Sequence, residues 1–159
     1  QNVLVSTATA SGKSICYNAP VLSALLDDPC ACALYLFPTK ALAQDQRRAL
    51  EELFATPSLA QTDLRAALGV YDGDTREEER IRLRVQGRLL ISNPDMLHVA
   101  LLPACASTFA HFFRNLKFVV LDEAHAYRGV FGSHVSLVLR RIRRACARLR
   151  AGSGAAAEP

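Results

Sequence analysis

The chain has 159 residues, of which 50% are hydrophobic and 21% are charged, and its formal net charge is +4. This balance is typical of one soluble globular domain with its own core, and it argues against a disordered or fibrous protein. No run reaches the roughly 18 apolar residues that a membrane span requires. Since no signal peptide is visible, we expect an intracellular protein without a membrane partner, nuclear in a eukaryote or cytoplasmic in a bacterium.

Charge is divided unevenly along the chain. Residues 1–74 carry five basic and eight acidic side chains, whereas residues 75–159 carry fourteen basic and seven acidic ones. Either a polyanionic partner or arginines on solvent-exposed helix faces would explain the basic half. The five cysteines include no Cys-x-x-Cys pair, which argues against a zinc site and fits a reducing compartment. Cys16 and Cys146 fall in helical apolar patterns and are predicted to be core thiols.

A phosphate-binding loop is predicted near the amino terminus, between a strand over residues 2–6 and a helix over residues 12–26. The loop ends in Gly12-Lys13-Ser14, and these three residue types suit a phosphate group. Gly12 lets the backbone approach the phosphates, and freed amides at the helix start point towards the anion. Lys13 can reach the β- and γ-phosphates, and the Ser14 hydroxyl can hold Mg²⁺.

An acidic pair follows an apolar run about a hundred residues further on. Residues 118–121 are apolar and are predicted to form a buried parallel strand, which ends in Asp122-Glu123-Ala124-His125. The carboxyl end of such a strand is where open α/β sheets bind their ligands. Asp122 can hold hydrated Mg²⁺, and Glu123 can position or deprotonate the attacking water. A solvated acidic turn is the alternative, but a phosphate loop upstream and a buried strand immediately before the pair argue against it.

The remaining segments alternate between strands and helices. A parallel sheet covered by helices on both faces is therefore the predicted architecture. Further strands are predicted over residues 33–37, 64–71 and 88–92. Further helices are predicted over residues 39–54, over residues 75–85, after Asn93-Pro94, and over residues 135–149, with a glycine-containing loop over residues 129–134. The helix over residues 75–85 should begin with a capping box of Thr75 and Glu78, and Glu78 should pair with Arg82.

The turn Pro38-Thr39-Lys40 follows the second predicted strand. At a strand end, a hydroxyl, a cation and exposed helix amides can grip a nucleic-acid phosphate. The same three residues also make an ordinary helix start, so the turn alone leaves both interpretations open.

Three stretches together resemble the motifs of superfamily 2 helicases of the DEAD/DEAH kind. Residues 9–14 resemble motif I, residues 37–46 resemble motif Ia, and Asp122-Glu123-Ala124-His125 resembles motif II. The resemblance implies a P-loop NTPase of the RecA-like α/β type, in which ATP is bound with Mg²⁺. Residues 92–98 and 121–134 are similar to those of a subgroup, the MrfA-type DNA repair helicases that carry a C-terminal zinc-binding domain.

The resemblance also implies roles for individual residues. Lys13, Asp122 and Glu123 would be catalytic, Ser14 and Asp122 would hold Mg²⁺, and His125 would couple the nucleotide state to a second lobe. ATP would be bound by Thr9, Ala10, Ser11, Gly12, Lys13, Ser14 and Asp122. Nucleic acid would be contacted by Pro38, Thr39, Lys40, Thr75, Asn93 and Pro94, although Thr75, Asn93 and Pro94 also suit plain turns.

The function implied is that of an ATP-dependent helicase or translocase. Residues 1–150 would be its first RecA-like lobe, cut from a longer protein that contains the second lobe, and residues 151–159 would be a flexible linker. Single-stranded DNA is the favoured partner, with 3′–5′ movement in DNA repair. An RNA helicase lobe is one alternative. A non-catalytic helicase-like scaffold is another, because Thr7 and Ala10 stand where phosphate loops frequently carry glycine.

Overall fold

The computed structural model of the chain describes residues 2–6 and 12–154, of which residues 153 and 154 are described by their backbone alone. Helices and strands alternate along most of this length. The helices are α1 (Lys13–Asp27), α2 (Lys40–Phe54), α3 (Leu64–Ala67), α4 (Glu77–Gln86), α5 (Pro94–Met96), α6 (Ala110–Arg114) and α7 (Gly129–Gly154). The strands are β1 (Cys32–Leu36), β2 (Leu68–Val70), β3 (Leu89–Ser92) and β4 (Leu116–Leu121). A π-helical turn, Leu97–Leu101, continues α5, and a 3-10 turn, Ala124–Ala126, follows β4.

The four strands form one parallel sheet in the order β2-β3-β1-β4. β1 lies inside the sheet, where Leu34 is aligned with Leu90 of β3 and with Val119 of β4. All five residues of β1 are buried, as expected for a continuous apolar strand with both faces covered. The predicted α/β architecture is therefore confirmed.

A hydrophobic core lies on each face of the sheet. Because successive side chains of a strand point to opposite faces, Leu34 belongs to one core and Tyr35 to the other. The core around Leu34 contains apolar residues of α6 and α7, including Phe113 and Ile142. The core around Tyr35 contains residues of α1 and α2, including Leu50. Helices thus cover both faces of the sheet, and their packing holds in place the sheet edge where the candidate site lies.

The prediction of a first strand over residues 2–6 is wrong. These residues form no strand, and Val3 and Leu4 are 82% and 86% exposed. A strand is stable only when its backbone pairs with a neighbour, and none of the described residues pairs with this segment. β4 is likewise less buried than predicted: Phe118 and Val119 are only partly covered, and among the described strands only β1 pairs with β4.

Three further boundaries differ from the predictions. The segment over residues 64–71 is helical in its first half, because Leu64-Arg-Ala-Ala favours a helical turn, and only Leu68–Val70 is strand. The predicted loop over residues 129–134 is the first part of α7, where the Ser133 hydroxyl donates to the Gly129 carbonyl. The same helix continues to Gly154, so residues 151–154 are helical rather than linker.

The turn before α4 is also built differently from the predicted capping box. The Thr75 hydroxyl accepts a hydrogen bond from the Asp72 amide at 2.9 Å and lies 3.0 Å from the Val70 carbonyl, so it closes the turn and leaves α4 uncapped by a side chain. Arg82 pairs with Glu79 at 2.6 Å, three residues away, rather than with Glu78.

The two cysteines that were predicted to be core thiols differ in their burial. Cys146 is buried on α7, as predicted, whereas Cys16 is exposed on α1.

The arginines of α7 at positions 140, 141, 143, 144 and 148 are all exposed while its apolar stripe is buried, which confirms an amphipathic helix. Within the described part of the chain, no helix combines the length and the apolar character that crossing a bilayer requires.

Candidate functional site

The candidate residues lie at one edge of the sheet. Because all four strands are parallel, their carboxyl ends share an edge. Thr75 lies just beyond β2, Asn93 beyond β3, Thr39 beyond β1 and Asp122 beyond β4. In the order of the strands, the three predicted nucleic-acid segments are therefore neighbours, and the acidic pair lies beside them.

The amino terminus of α1 carries the described part of the phosphate loop. Gly12 caps the helix in the left-handed conformation with φ +75°, where a side chain would be strained. Lys13 and Ser14 form its first turn and are half-buried. Thr9, Ala10 and Ser11, which were also predicted to bind the nucleotide, lie outside the described residues. A helix start with a left-handed glycine and a following lysine can present amides and a cation to a phosphate.

Asp122 is joined to α1 through the phenol of Tyr17. The Tyr17 hydroxyl donates to Oδ2 of Asp122 at 2.8 Å, and the backbone amide of Glu123 donates to Oδ1 at 2.8 Å. Within the described part of the chain, each carboxylate oxygen thus accepts one hydrogen bond and retains capacity for another partner. This contact brings the helix that carries Lys13 and Ser14 to the acidic pair, as predicted for a joint site.

Glu123 has the only positive φ among the non-glycine residues that the structure describes. Its φ is 50° and its ψ is 43°, a left-handed conformation that an ordinary side chain adopts at a cost. The Glu123 carboxylate is half-buried, and its Oε2 lies 3.2 Å from Nδ1 of the exposed His125. The acidic pair therefore diverges: Asp122 faces α1, whereas Glu123 contacts the residue predicted to couple the nucleotide state to a second lobe.

Sequence reasoning missed Tyr17 and the polar cluster around it. Burial raises the pKa of the Tyr17 phenol. A hydrogen bond with the Ser14 side chain lowers this pKa in part, and Asp122 raises it further. The hydroxyl therefore stays protonated and remains a donor. Gln46 on α2 lies 3.3 Å from the same hydroxyl. A tyrosine four residues after Lys13, and a glutamine within the apolar stripe of α2, were the available signals, but neither pattern shows which groups meet.

The predicted nucleic-acid residues Thr39 and Asn93 cap helices. The Thr39 hydroxyl accepts from the Leu42 amide at 3.3 Å, and the Asn93 side chain accepts from the Met96 amide at 2.8 Å. Pro94 is buried in the first turn of α5. These contacts account for the residue types as helix starts, and a role in binding nucleic acid stays a prediction.

A groove of about 650 Å³ lies between the start of α2 and the turn before α4. Lys40 crosses it, with its ammonium 2.5 Å from Oδ2 of Asp74, and both side chains are exposed. Asp74 belongs to the turn closed by Thr75 and Asp72, and its amide donates to Oδ1 of Asp72 at 2.9 Å. The hydrogen bond that Lys40 donates to Asp74 raises the pKa of Lys40, so this cation is charged and already paired.

Comparison with known proteins agrees with this geometry. A family model described as DEAD/DEAH box helicase matches residues 1–156. ATP-dependent helicase HRQ1 of Saccharomyces cerevisiae is 47% identical over 147 residues, which are 92% of this chain and 13% of that protein. Uncharacterized ATP-dependent helicase YprA of Bacillus subtilis is 48% identical over 146 residues, which are 92% of this chain and 19% of that protein.

The fold is also shared with a solved structure. The crystal structure of the DUF1998 helicase MrfA bound to DNA and AMPPNP matches with a TM-score of 0.82 and 49% identity, covering 90% of this chain and 19% of that one. The sheet described above is thus the RecA-like fold of a helicase lobe. The chain spans about a fifth or less of the length of these relatives. Since the family model covers nearly every residue, the chain belongs to the DEAD/DEAH box helicase family.

Proposed function

We propose that this chain is the nucleotide-binding motor lobe of an ATP-dependent DNA helicase. The observation that carries the proposal is the 2.8 Å hydrogen bond between Tyr17 and Asp122, because it unites the phosphate-loop helix and the acidic pair at one sheet edge. The solved relative MrfA was crystallised with DNA and AMPPNP, which supports DNA and a nucleoside triphosphate as ligands. Movement in the 3′–5′ direction and a role in DNA repair belong to the same proposal.

In this proposal, each site residue has one task. Lys13 and the amides at the start of α1 bind the phosphates, and Glu123 orients the attacking water and accepts its proton. Ser14 and Asp122 hold Mg²⁺, which supplies neutralisation of the phosphate charge. The fit rests on Asp122, whose two oxygens each accept one hydrogen bond from the described residues and can accept another contact.

The surroundings of Asp122 favour Mg²⁺ over a metal held by a full set of protein ligands. Among residues 2–6 and 12–154, no three histidine, cysteine or carboxylate side chains converge as they would around such a metal. Mg²⁺ commonly uses one or two carboxylates together with waters and substrate phosphates. One carboxylate beside a phosphate loop is consistent with that mode of binding.

The nucleic acid would lie along the turns that follow β1, β2 and β3. Pro38, Thr39 and Lys40 lie at the start of α2 at this edge, Asn93 and Pro94 follow β3, and Thr75 lies in the turn after β2. Helix amides, hydroxyls and a lysine are the groups that contact phosphates, which positions a strand without reading its bases. DNA and RNA differ in the 2′-hydroxyl and in helix geometry, so the test must compare both.

The test is steady-state ATP turnover by the full-length parent chain. Turnover is measured without nucleic acid and with single-stranded DNA, single-stranded RNA and duplex DNA, beside the Glu123→Gln variant. We expect single-stranded DNA to stimulate turnover, and Glu123→Gln to reduce it by about 10²–10⁴-fold, the usual contribution of a general base. Lys13→Ala should weaken nucleotide binding by about ten- to a hundredfold, because it removes a hydrogen bond between charged groups.

Other outcomes would replace the proposal. Stimulation by RNA alone would make the chain part of an RNA motor. Tight nucleic-acid binding with no turnover under any condition would identify a helicase-like scaffold. Unchanged nucleotide affinity in Lys13→Ala would reject the assignment of the phosphate loop.

A further inference from the structure

A closed polar cluster lies between α1, α2 and β1, behind the candidate site. The Tyr35 hydroxyl donates to Oδ1 of Asn18 at 2.9 Å, and Nε2 of Gln46 donates to the same oxygen at 3.2 Å. Oε1 of Gln46 lies 3.3 Å from the Tyr17 hydroxyl, which in turn donates to Asp122 at 2.8 Å. Among the described residues, no buried side-chain nitrogen or oxygen lacks a hydrogen-bond partner, so this cluster leaves no buried polar atom unpaired.

Among the described residues, the Tyr17 hydroxyl has a carboxylate and an amide oxygen as acceptors for its one proton, and it also hydrogen-bonds the Ser14 side chain. The bond to the Asp122 carboxylate is shorter and assisted by charge, whereas the contact with the Gln46 amide oxygen is longer and neutral. The Tyr17 hydroxyl therefore donates its hydrogen bond to Asp122 in this structure. A small displacement of Gln46 would change the competition between the two acceptors for that hydrogen bond. The ring itself is fixed, because it packs edge-on against Tyr35 with centroids 5.3 Å apart and planes at 84°.

Gln46 lies on the helix that begins at the proposed nucleic-acid contact. α2 starts at Lys40, with Thr39 as its cap, and Gln46 is six residues later, with only 7% of its surface exposed. A helix moves as a rigid rod over such a short distance, so a shift at its first turn is transmitted to Gln46. The helix thus links the edge that would bind nucleic acid to the hydroxyl that orients Asp122.

We propose that Tyr17 is a positioning residue that orients Asp122 for Mg²⁺ and, through Gln46, connects this orientation to nucleic acid bound at the start of α2. This inference rests on the proposed function, because it assigns Asp122 to Mg²⁺ and α2 to nucleic acid. Tyr17 acts in this proposal through Asp122 and is not itself a ligand of the metal. Its hydroxyl restricts the rotation of the carboxylate, and the other oxygen, Oδ1, stays fixed by the Glu123 amide.

The experiment compares Tyr17→Phe with Tyr35→Phe in the full-length parent chain. Both variants remove one phenol hydroxyl from the same cluster and keep the ring, but only the Tyr17 hydroxyl contacts Asp122. The readouts are the Mg²⁺ concentration for half-maximal binding of a fluorescent non-hydrolysable ATP analogue, and the stimulation of turnover by single-stranded DNA. Circular dichroism and urea denaturation check that each variant is folded.

We expect Tyr17→Phe to raise the Mg²⁺ requirement by roughly three- to tenfold, the range of one hydrogen bond, while Tyr35→Phe leaves it unchanged. Gln46→Met keeps the length of the side chain and removes its polar atoms. It should retain the Mg²⁺ requirement, because the Tyr17–Asp122 bond remains, but reduce the stimulation by DNA at least about twofold.

An unchanged Mg²⁺ requirement in a folded Tyr17→Phe variant would overturn the positioning role, and an equal rise in Tyr35→Phe would assign the effect to packing. If Tyr17→Phe does not fold, Gln46→Met with normal stimulation by DNA would by itself reject the connection through α2. Failure of the proposed function is distinguishable, since the parent chain would then show no turnover. The Mg²⁺ requirement for analogue binding still decides the role of Tyr17 in that case.

Discussion

The guanidinium group of Arg88, just before β3, contacts three carbonyls in the last turn of α1 and the segment that connects α1 to β1. It donates to the carbonyls of Ala31, at 3.3 Å, and of Asp28, at 2.8 Å, as well as to that of Leu25, and it pairs with Asp63 at 3.2 Å. Arg88 itself is only 8% exposed. A planar group with five donors suits this task, because it can satisfy several carbonyls at fixed angles.

Arg88→Ala should therefore lower the free energy of unfolding by about 2 kcal/mol or more, since it removes the donor from the buried carbonyls of Leu25 and Ala31 at about 1–3 kcal/mol each. The matched control is Asp63→Asn, which removes the ion pair alone. The Asp63 side chain is 72% exposed, so this change should cost less than about 1 kcal/mol. Urea denaturation of the 159-residue chain measures both values, and equal losses would assign the stabilisation to the ion pair instead.

At the scale of elements, the junction between the 3-10 turn after β4 and α7 depends on close backbone packing. A Cβ atom at Gly132 would lie 2.4 Å from the Tyr127 carbonyl oxygen, which is backbone and has little room to move. The Tyr127 hydroxyl donates to the Leu36 carbonyl at 3.3 Å, so this turn is also tied to β1. A larger side chain at position 132 should consequently displace the strand end beside Asp122.

Gly132→Ala should lower the free energy of unfolding by about 1–3 kcal/mol, the usual cost of overpacking. Gly152→Ala is the control within the same helix, because a Cβ there meets nothing within 4 Å and alanine favours helix. It should leave stability unchanged or raise it by up to about 1 kcal/mol. Thermal unfolding followed by circular dichroism separates the two, and equal effects would show that the Tyr127 contact adds nothing.

The same junction shows what the sequence could and could not predict. The apolar period over residues 135–149 correctly indicated an amphipathic helix, because its stripe is buried against the sheet. The preceding glycines suggested a loop, yet the helix begins at Gly129, where the Ser133 hydroxyl donates to the Gly129 carbonyl and the Phe131 ring lies 5.6 Å from that of Tyr127. Periodicity reports which residues are buried, whereas the exposed residues 129–131 at the helix start provide no apolar period.

Motif residues were placed correctly for a related reason. Asp122 follows a strand of the parallel sheet, which places it at the shared edge, and Lys13 starts the helix whose Tyr17 contacts Asp122 there. The partners Tyr17 and Gln46 were missed because they come from separate helices. Nothing within either segment shows that their side chains meet.

At the scale of the whole molecule, the uneven distribution of charge along the chain is offset locally by one ion pair, Lys40 and Asp74. Asp74 neutralises Lys40, the cation proposed to contact a phosphate at the start of α2. A polyanion approaching this edge must therefore compete with a carboxylate of the protein itself. The strength of that competition depends on ionic strength, since both side chains are exposed.

Asp74→Asn should tighten the binding of single-stranded DNA by up to about fivefold at low salt, because Lys40 is released, with a smaller gain at high salt. Fluorescence anisotropy of labelled DNA with the full-length chain measures the affinity. Asp27→Asn makes the same change in net charge at the far end of α1, where the sheet edge is remote. A similar gain in that variant would attribute the effect to net charge and not to Lys40.

The partly covered strand β4 has a practical consequence for handling this chain. Among the described strands only β1 pairs with it, so its second edge has no strand partner within the described part of the chain. Such an edge is a template for pairing with another molecule, and charged side chains are the common protection against aggregation. The charged residue of β4 is Lys117, but its ammonium lies 2.6 Å from Asp28 and is partly neutralised. Concentrated solutions of the isolated chain should therefore be prone to edge-to-edge self-association, and their solubility should be sensitive to the residue at position 117.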